Sequence, residues 1–288
     1  MTSEPRGRMI VCPTPLGNLE DITLRTLRAL RECDVIFAED TRVSETLLRH
    51  YEIKKPLRSF HERVETARLA ELKKLLNAGK CVAVITDAGM PGISDPGIEL
   101  VRTARDSNAT IDVLPGPSAA VGAMVLSGFD AARFRFDGFP PRKSAQRRRY
   151  LETLRGEPAA VVWFEAPHRV ADLLEDVAQV LPERRMFAVR EYTKKFEQHL
   201  LGTAAEVMRD LKDYRGEFTL VLEGAGSDVE QPPDLQNVAQ AVALLRRNGV
   251  SARVIADALR LATGLPKNDL YRLATHDQPD GSESRLPQ

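Results

Sequence analysis

Residues 82–97 read VAVITDAGMPGISDPG, and this stretch decides the fold class that we predict for the chain. The first four residues are apolar, and three of them are Val or Ile, which indicates a short buried strand. The Gly, Pro, Asp and Ser residues that follow predict a loop, and a helical pattern begins by Glu99. Asp95 is the expected N-cap of that helix, with Pro96 at its first position. Connections of this length are uncommon between a strand and a helix, which favours a ligand-binding loop over an ordinary turn.

The composition is that of an ordinary globular chain. Its 288 residues are 43% hydrophobic, enough for two domains with appendages. Basic and acidic residues both number 41, so any surface that binds nucleic acid must be local. The three cysteines and five histidines lack the spacing of a disulfide framework or a metal site, so we expect reduced cysteines, no metal and a cytoplasmic protein. No apolar run approaches the roughly 18 residues of a membrane span, and we expect no membrane partner.

The order of predicted elements divides the chain into three parts. Alternating strands and helices predict an α/β domain with a parallel sheet over residues 9–116. A second α/β domain is expected at 117–225, and a small unit of short helices at 235–276. Polar, proline-bearing residues separate these last two, and residues 1–8 and 277–288 are expected to be disordered tails.

Polar or Gly/Pro-rich residues follow several of the predicted strands. Pro13–Asn18 follows the first strand, and Pro115–Ala120 forms a second Gly/Pro turn that opens a helix of small residues. Small residues at a helix start allow close approach of a polar ligand to the backbone. Glu39–Arg42 follows another strand, and its charges fit either a solvated turn or the lining of a cleft.

Two stretches carry a local excess of positive charge. From Arg133 to Arg155 there are eight basic residues and two acidic ones, and from Arg246 to Arg272 there are six and two. A solvated helix face and a contact with a phosphate backbone both explain the first stretch. The second stretch leaves open whether the C-terminal helices only pack or also bind RNA.

Taken together and in this order, the motifs resemble the tetrapyrrole methylase superfamily of S-adenosylmethionine-dependent methyltransferases, over nearly the whole chain. Two residues, Met90 and Gly92, stand where the family pattern has Thr and Leu. The motifs that carry the resemblance are P-T-P-L-G-N (Pro13 to Asn18), A-E-D-T-R (Ala38 to Arg42), D-A-G-x-P-x-I-S-D-P-G (Asp87 to Gly97), L-P-G-P-S-A (Leu114 to Ala119), R-E-x-T-K (Arg190 to Lys194) and G-E (Gly216 to Glu217).

The resemblance implies two α/β domains with S-adenosylmethionine in the cleft between them, and commonly a homodimer. Within the superfamily, the match is to members that 2′-O-methylate a cytidine of 16S rRNA in the small ribosomal subunit. The residues that it implies at the cofactor are Pro15, Asp87, Ala88, Gly89, Ile93, Ser118 and Ala119 from the first half, and Phe164, Glu165, Gly202 and Glu217 from the second.

Methyl transfer to a ribose hydroxyl needs alignment of the reacting atoms and a base for the proton. Charged residues at the predicted strand ends are the catalytic candidates: Glu39, Asp40, Glu191 and Lys194. The candidates for holding RNA are Arg42, Arg142, Lys143, Arg147, Arg148, Arg149, His168, Arg169 and Arg190. Structural ion pairs, such as Asp40 with Arg42, explain several of these residues equally well.

Two other functions remain open on the sequence alone. A tetrapyrrole C-methyltransferase would have the same fold, but a porphyrinoid substrate does not require the basic cluster at 142–149 or the basic C-terminal helices. A non-enzymatic RNA-binding factor for ribosome assembly would keep the fold only for its structure. The presence of both Gly/Pro loops argues against this alternative.

Overall fold

The structure is a computed structural model that describes residues 7–60, 65–95, 97–226, 235–263 and 265–275. Its contacts divide the chain into two compact units, Met1–Ala225 and Gly226–Gln288. Pro96, the expected first residue of a helix, and the expected tail at 277–288 lie outside the described residues, as does the linker beyond Gly226. Of the expected N-terminal tail, residues 1–6 also lie outside them, whereas Arg8 already belongs to the first strand.

The first sheet of the larger unit is parallel, with the strand order β3-β2-β4-β1-β5. Its strands are β1 (Arg8–Val11), β2 (Val35–Ala38), β3 (Leu57–Ser59), β4 (Cys81–Ile85) and β5 (Thr110–Val113). Strands buried on both faces read as continuous apolar runs, and the central β4 has this pattern. Successive side chains alternate between faces, so that Met9 and Val11 pack in one core while Ile10 packs in the other.

Helices cover both faces of this sheet. They are α1 (Leu24–Glu32), α2 (Thr41–His50), α3 (Glu65–Asn77) and α4 (Ile98–Asp106). Thr23 caps α1 by accepting a hydrogen bond from the Thr26 amide on its side chain. α2 was not expected, because its first residues are the charged run that suggested a turn. The side chain of Asp40 accepts the amide of Arg42 and so begins that helix.

The second sheet is mixed, with the order β6-β7-β10-β8-β9. β6 pairs parallel with β7, and the other neighbours are antiparallel. Its strands are β6 (Phe134–Phe136), β7 (Ala160–Glu165), β8 (Arg185–Arg190), β9 (Gln198–Thr203) and β10 (Phe218–Leu222). The core on one face surrounds Trp163, which is fully buried.

Helices cover both faces of the second sheet. α5 (Ala119–Ser127) packs on one face through Ala123 and Met124, and α6 (Ser144–Thr153), α7 (Val170–Val180) and α8 (Ala204–Asp210) pack on the other. The smaller unit consists of α9 (Leu235–Arg247), α10 (Ala252–Thr263) and α11 (Lys267–Thr275), which share a small core. These sheets and helices confirm the predicted fold class. Among the described residues, no helix is both long and apolar enough to cross a membrane.

The expected cap of α4 is wrong. The helix begins at Ile98, and its N-cap is Gly97, with φ at +136° and no side-chain hydrogen bond. This backbone conformation is costly for residues other than glycine, so the turn into α4 is made by glycine geometry and not by an Asp side chain. The carboxylate of Asp95 is thereby left for another role.

Candidate active site

β1 and β4 are neighbours at the centre of the first sheet, but the chain leaves them in opposite directions. After β1 it enters α1, whose Leu30 packs on one face of the sheet. After β4 it enters α4, whose Leu100 packs on the other face. A switch point of this kind opens a crevice at the carboxyl ends of the strands, where open α/β sheets bind ligands. The two Gly/Pro loops that follow β1 and β4 border this crevice.

Hydrogen bonds join these two loops. Thr14 and Gly89 form an isolated antiparallel bridge, and the Thr14 hydroxyl donates to the carbonyl of Thr86 at 2.9 Å. Gly89 has φ at +80°, and a Cβ atom there would lie 3.1 Å from Cδ2 of Leu16. Both observations explain why a glycine stands at this position.

The crevice continues into a cavity of about 390 Å³ between the first sheet and the second. Its wall from the first half is formed by Leu16, Ala88, Gly89, Met90, Ile93, Ser94, Asp95, Ser118 and Ala119. Its wall from the second half is formed by Phe139, Phe164, Glu165, Ala166, Pro167, Glu217, Phe218 and Thr219. The lining is mostly apolar with a few carboxylates and hydroxyls, as in sites for small organic ligands, and the volume lies within their range of about 300–1,000 Å³.

Most of the residues expected at a cofactor line this cavity. They are Ala88, Gly89, Ile93, Ser118, Ala119, Phe164, Glu165 and Glu217. Pro15 and Asp87 line a neighbouring cavity of about 560 Å³, which shares Leu16 with the first. Gly202 lines neither of them: it lies in β9, where an added Cβ atom would meet the side chain of Glu206.

Several lining residues were missed in the sequence. Ala166 and Pro167 directly follow β7, so the strand-end signal used for β4 would have found them. Asp95 was assigned to a cap instead. Phe139, by contrast, precedes two prolines in a segment whose pattern gives no sign of a pocket.

Carboxylates gather at the ends of β2 and β4. The hydroxyl of Thr86 donates to Oε2 of Glu39, and the amide of Asp87 donates to the same oxygen at 3.3 Å. The amide of Asp40 donates to Oδ1 of Asp87 at 3.1 Å. Burial, followed by the charge of Glu39, raises the pKa of Asp87. Burial and Glu39 also raise the pKa of Asp95, to about 6. This group of carboxylates, of which Asp95 lines the cavity, therefore attracts a cation.

The other two catalytic candidates form an ion-pair group with the cavity wall. Nζ of Lys194 donates to Oε1 of Glu191 at 3.1 Å and to Oε2 of Glu217 at 2.8 Å. Burial lowers the pKa of Lys194, but these two bonds outweigh that effect and the pKa is raised. Lys194 also touches the loop after β1, since a Cβ atom on Gly17 would lie 2.2 Å from its Cγ. Lys194 thus stays charged and holds Glu217 beside the cavity.

The residues expected to hold RNA divide into two groups. Arg142, Lys143, Arg148, Arg149 and His168 are exposed. Arg42 is exposed as well and pairs with Asp40, and its hydrogen bonds lower the pKa of that carboxyl to about 2.

The second group has its guanidinium groups bound inside the protein, which corrects the expectation that they face RNA. Arg147 is 3% exposed and pairs with the equally buried Asp176. Arg190 donates to the carbonyl of Arg215 and, at 2.8 Å, to Asp213. Arg169 donates to the carbonyl of Pro140 at 2.7 Å and lies 3.2 Å from Glu165. Buried charges require such partners, so these arginines stabilise the fold around the site.

Comparisons with known proteins agree with this architecture. The model of the family described as Tetrapyrrole (Corrin/Porphyrin) Methylases matches residues 8–208. The "Ribosomal RNA small subunit methyltransferase I" of Thermotoga maritima is 44% identical over 76% of this chain and 99% of its own length. The protein of the same name from Halalkalibacterium halodurans is 37% identical over 94% of this chain and 95% of its own length.

Solved structures with the same fold are more distant in sequence. A uroporphyrin-III-C-methyltransferase from Thermus thermophilus has 23% identity and a TM-score of 0.55, covering 76% of this chain and 94% of its own. A diphthine synthase has 16% identity and a TM-score of 0.60, covering 75% and 89%. Likeness at this level shows the fold alone.

The cavity fits S-adenosylmethionine. This cofactor carries a positive sulfonium and a positive amino group, and the carboxylates at the strand ends suit both charges. Gly89 has no side chain, and Ala88 and Ala119 have small ones, so a ligand can approach the backbone closely at these three residues. The predicted resemblance is confirmed: the chain belongs to the tetrapyrrole (corrin/porphyrin) methylase family and uses S-adenosylmethionine as its methyl donor.

Proposed function

We propose that this enzyme methylates the ribose 2′-hydroxyl of a cytidine in the 16S rRNA of the small ribosomal subunit. The observation that carries the proposal is the nearly full-length match to relatives named as ribosomal RNA small subunit methyltransferases. The exposed cations at the start of α6 support it, because a phosphate backbone needs a positive surface near the reacting atoms.

The cofactor supplies an electrophilic methyl group on a sulfonium. The contribution of the protein is alignment of the ribose oxygen with that group and removal of the hydroxyl proton. Among the catalytic candidates, Glu39 and Asp40 are carboxylates at the end of β2 that can accept a proton. Glu191 and Lys194 form the ion-pair group that positions Glu217.

We add Asp95 to the candidates for the proton acceptor. Its side chain lines the donor cavity itself. A base works best when its pKa lies near the working pH, and burial, followed by the charge of Glu39, brings the pKa of Asp95 up to about 6. The sequence pattern concealed this role by suggesting a helix cap.

The remaining residues have supporting roles in the proposal. Arg42, Arg142, Lys143, Arg148, Arg149 and His168 bind RNA from outside the cavity. The domains are taken as 9–116, 117–225 and 235–276, and the protein acts in the cytoplasm as a homodimer. One chain leaves Val121 and Val125 of α5 52% and 72% exposed, which is compatible with an apolar interface. Sedimentation velocity measures the oligomeric state directly.

A transfer assay tests the reaction. S-adenosylmethionine with a labelled methyl group is offered with small ribosomal subunits, with naked 16S rRNA and with a tetrapyrrole precursor. Label that survives in the 2′-O-methyl nucleoside of digested rRNA is the expected result. Label in the tetrapyrrole would replace the proposal with C-methylation, and RNA binding without any transfer would replace it with a non-enzymatic role.

A further inference from the structure

Another cavity, different from the one at Pro15 and Asp87 and called the second cavity below, adjoins the donor cavity on the side of the second sheet. Its volume is about 580 Å³, and it shares the side chains of Phe139 and Ala166 with the donor cavity. A group bound in this second cavity therefore lies one wall away from the methyl donor. The other residues that line it are Pro140, Pro141, Arg142, His168, Arg169 and Asp172.

The loop at the mouth of this cavity is held by two arginines through three consecutive carbonyls. Arg169 donates to the carbonyl of Pro140 at 2.7 Å. Arg147 donates to the carbonyl of Pro141 at 3.4 Å and to that of Arg142 at 3.2 Å. Arg147 is itself fixed by Asp176, with a nitrogen–oxygen distance of 2.6 Å. These bonds fix the backbone of the loop at three consecutive residues.

Side chains on this loop and on the loop after β7 are free to bind a ligand. Among the described residues, the guanidinium of Arg142 and the imidazole of His168 have neither a hydrogen-bond nor an ion-pair partner, and both side chains are exposed. Asp172 adds one negative charge to the same wall, and the exposed cations Lys143 and Arg149 follow Arg142 along the chain. A fixed backbone that carries an unpaired guanidinium is a preorganised site for an anion with several oxygens.

We infer that this second cavity binds a phosphodiester group of the RNA strand, with Arg142 and His168 as donors to its oxygens. The inference rests on the proposed function, because it takes RNA as the substrate. In a nucleic acid strand, each ribose is bonded directly to phosphates on both sides. A phosphate held beside the shared wall of Phe139 therefore brings an adjoining ribose to the mouth of the donor cavity. Arg147 and Arg169 act as positioning residues for this contact.

The test compares Arg142→Ala with Arg149→Ala. Both variants remove one exposed positive charge from the same basic stretch, but only Arg142 lines the cavity. For Arg142→Ala we expect a rise of about ten-fold in the KM for small ribosomal subunits, which corresponds to one lost charge-assisted bond. We also expect the slope of log affinity against log salt for a fluorescent single-stranded RNA to fall by about one. For Arg149→Ala we expect a smaller change in both.

Binding of S-adenosylmethionine, measured by calorimetry, separates the phosphate from the cofactor as the occupant. Arg142→Ala should leave this affinity unchanged, and a ten-fold loss would assign the cavity to the carboxylate of the donor and overturn the inference. A His168→Ala variant should reproduce the direction of the Arg142→Ala effect on KM. Equal effects of Arg142→Ala and Arg149→Ala would also overturn the inference.

The same measurements distinguish this inference from the proposed function. Methyl transfer to the subunits with indistinguishable arginine variants would leave the function intact and remove the phosphate site. Absence of transfer to rRNA, together with RNA binding that depends on Arg142 more than on Arg149, would remove the function and support the site.

Discussion

The main chains of Thr14 and Gly89 exchange two hydrogen bonds, from the Thr14 amide to the Gly89 carbonyl at 2.9 Å and in return at 3.0 Å. They join the loops after β1 and β4 at the switch point of the first sheet, directly beside the donor cavity. Thr14 is 1% exposed, so water cannot replace these bonds. The shape of the cavity floor depends on this bridge.

Gly89→Ala should weaken donor binding by about ten-fold and lower the free energy of unfolding by about 1–2 kcal/mol. The substitution strains a backbone with φ at +80° and brings a Cβ atom to 3.1 Å from Leu16, on the cavity wall. Calorimetry with S-adenosylmethionine and urea unfolding measure the two effects.

Gly128→Ala is the matched control. Gly128 ends α5 with φ at +68°, and an added Cβ atom would have nothing within 4 Å. It should lower stability by about 1 kcal/mol through the backbone alone and leave donor affinity unchanged. Equal donor affinity in both variants would show that the position of Gly89 does not shape the site.

The sequence predicted which loops border one cavity, because the relevant signals are local. A buried strand that ends in a Gly/Pro loop predicts a position at the carboxyl edge of a parallel sheet. Two such loops, after β4 and after β5, carry Gly89 and Ser118, and both residues line the same cavity. The charged run after β2 was less informative, since Asp40 serves as the N-cap of a helix there and its charge alone suggested a turn.

Pairing across the fold is what the sequence could not predict. Arg147, Arg148 and Arg149 are consecutive, and no local pattern distinguishes the buried one from its neighbours. Arg147 is buried because Asp176, on another helix, is positioned to pair with it. Asp95 is a similar case. The sequence pattern predicts Asp95 as the N-cap of α4, but the backbone conformation of Gly97 makes Gly97 the N-cap, and no local pattern indicates this.

Asp95→Asn should stabilise the protein at neutral pH. The folded state raises the pKa of Asp95 from 3.8 to about 6, chiefly by burial. Folding is therefore favoured by the protonated form, and this contribution is lost as the pH rises from about 4 through about 6. The full shift corresponds to about 3 kcal/mol, and we expect about 1 kcal/mol because the side chain is only partly buried and water screens its charge.

Urea unfolding of wild type and Asp95→Asn at roughly pH 4, 5, 6 and 7 measures the difference in free energy of unfolding across this window. The stability gain should grow over these points and then level off. Asp40→Asn is the control of opposite sign, because hydrogen bonds from Arg42 lower the pKa of Asp40 to about 2. It should be less stable than wild type at all four pH values, by an amount that hardly changes among them, because the ordinary carboxyl pKa of 3.8 lies below this window. A gain at Asp95 that does not change with pH would contradict the assignment.

Turnover should show the same ionisation if Asp95 accepts the proton. With saturating donor and small subunits, kcat of the wild type is expected to rise with pH through about 6. At saturating donor, Asp95→Asn should lose at least about 100-fold in kcat and should lack this rise with pH. A wild-type-like profile in the variant would transfer the role to another group.

Lys194→Met should destabilise the protein by about 1–2 kcal/mol. It removes the cation that lies between Glu191 and Glu217 and leaves the partly buried Glu191 without its ion pair. Lys195→Met is the neighbouring control: its ammonium lies on the exposed ring of Phe196 and should contribute less than about 0.5 kcal/mol. Urea unfolding of both variants makes the comparison, and equal losses would mean that the ion-pair group adds no stability.

The three consecutive arginines of α6 should respond very differently to truncation. Arg147→Ala should cost about 2–4 kcal/mol, because it removes a buried guanidinium that pairs with Asp176 and holds the loop at Pro141. Arg148→Ala should cost less than about 1 kcal/mol, since its side chain is 49% exposed although it also pairs with Asp176. Arg149→Ala should stay within about 0.5 kcal/mol of wild type.

Urea unfolding of the three arginine variants gives the order of their stabilities, and RNA binding by the folded Arg149→Ala protein tests the surface separately. If Arg147→Ala were as stable as Arg149→Ala, the buried pair would not anchor the loop, and the position of Arg142 beside the second cavity would need another support.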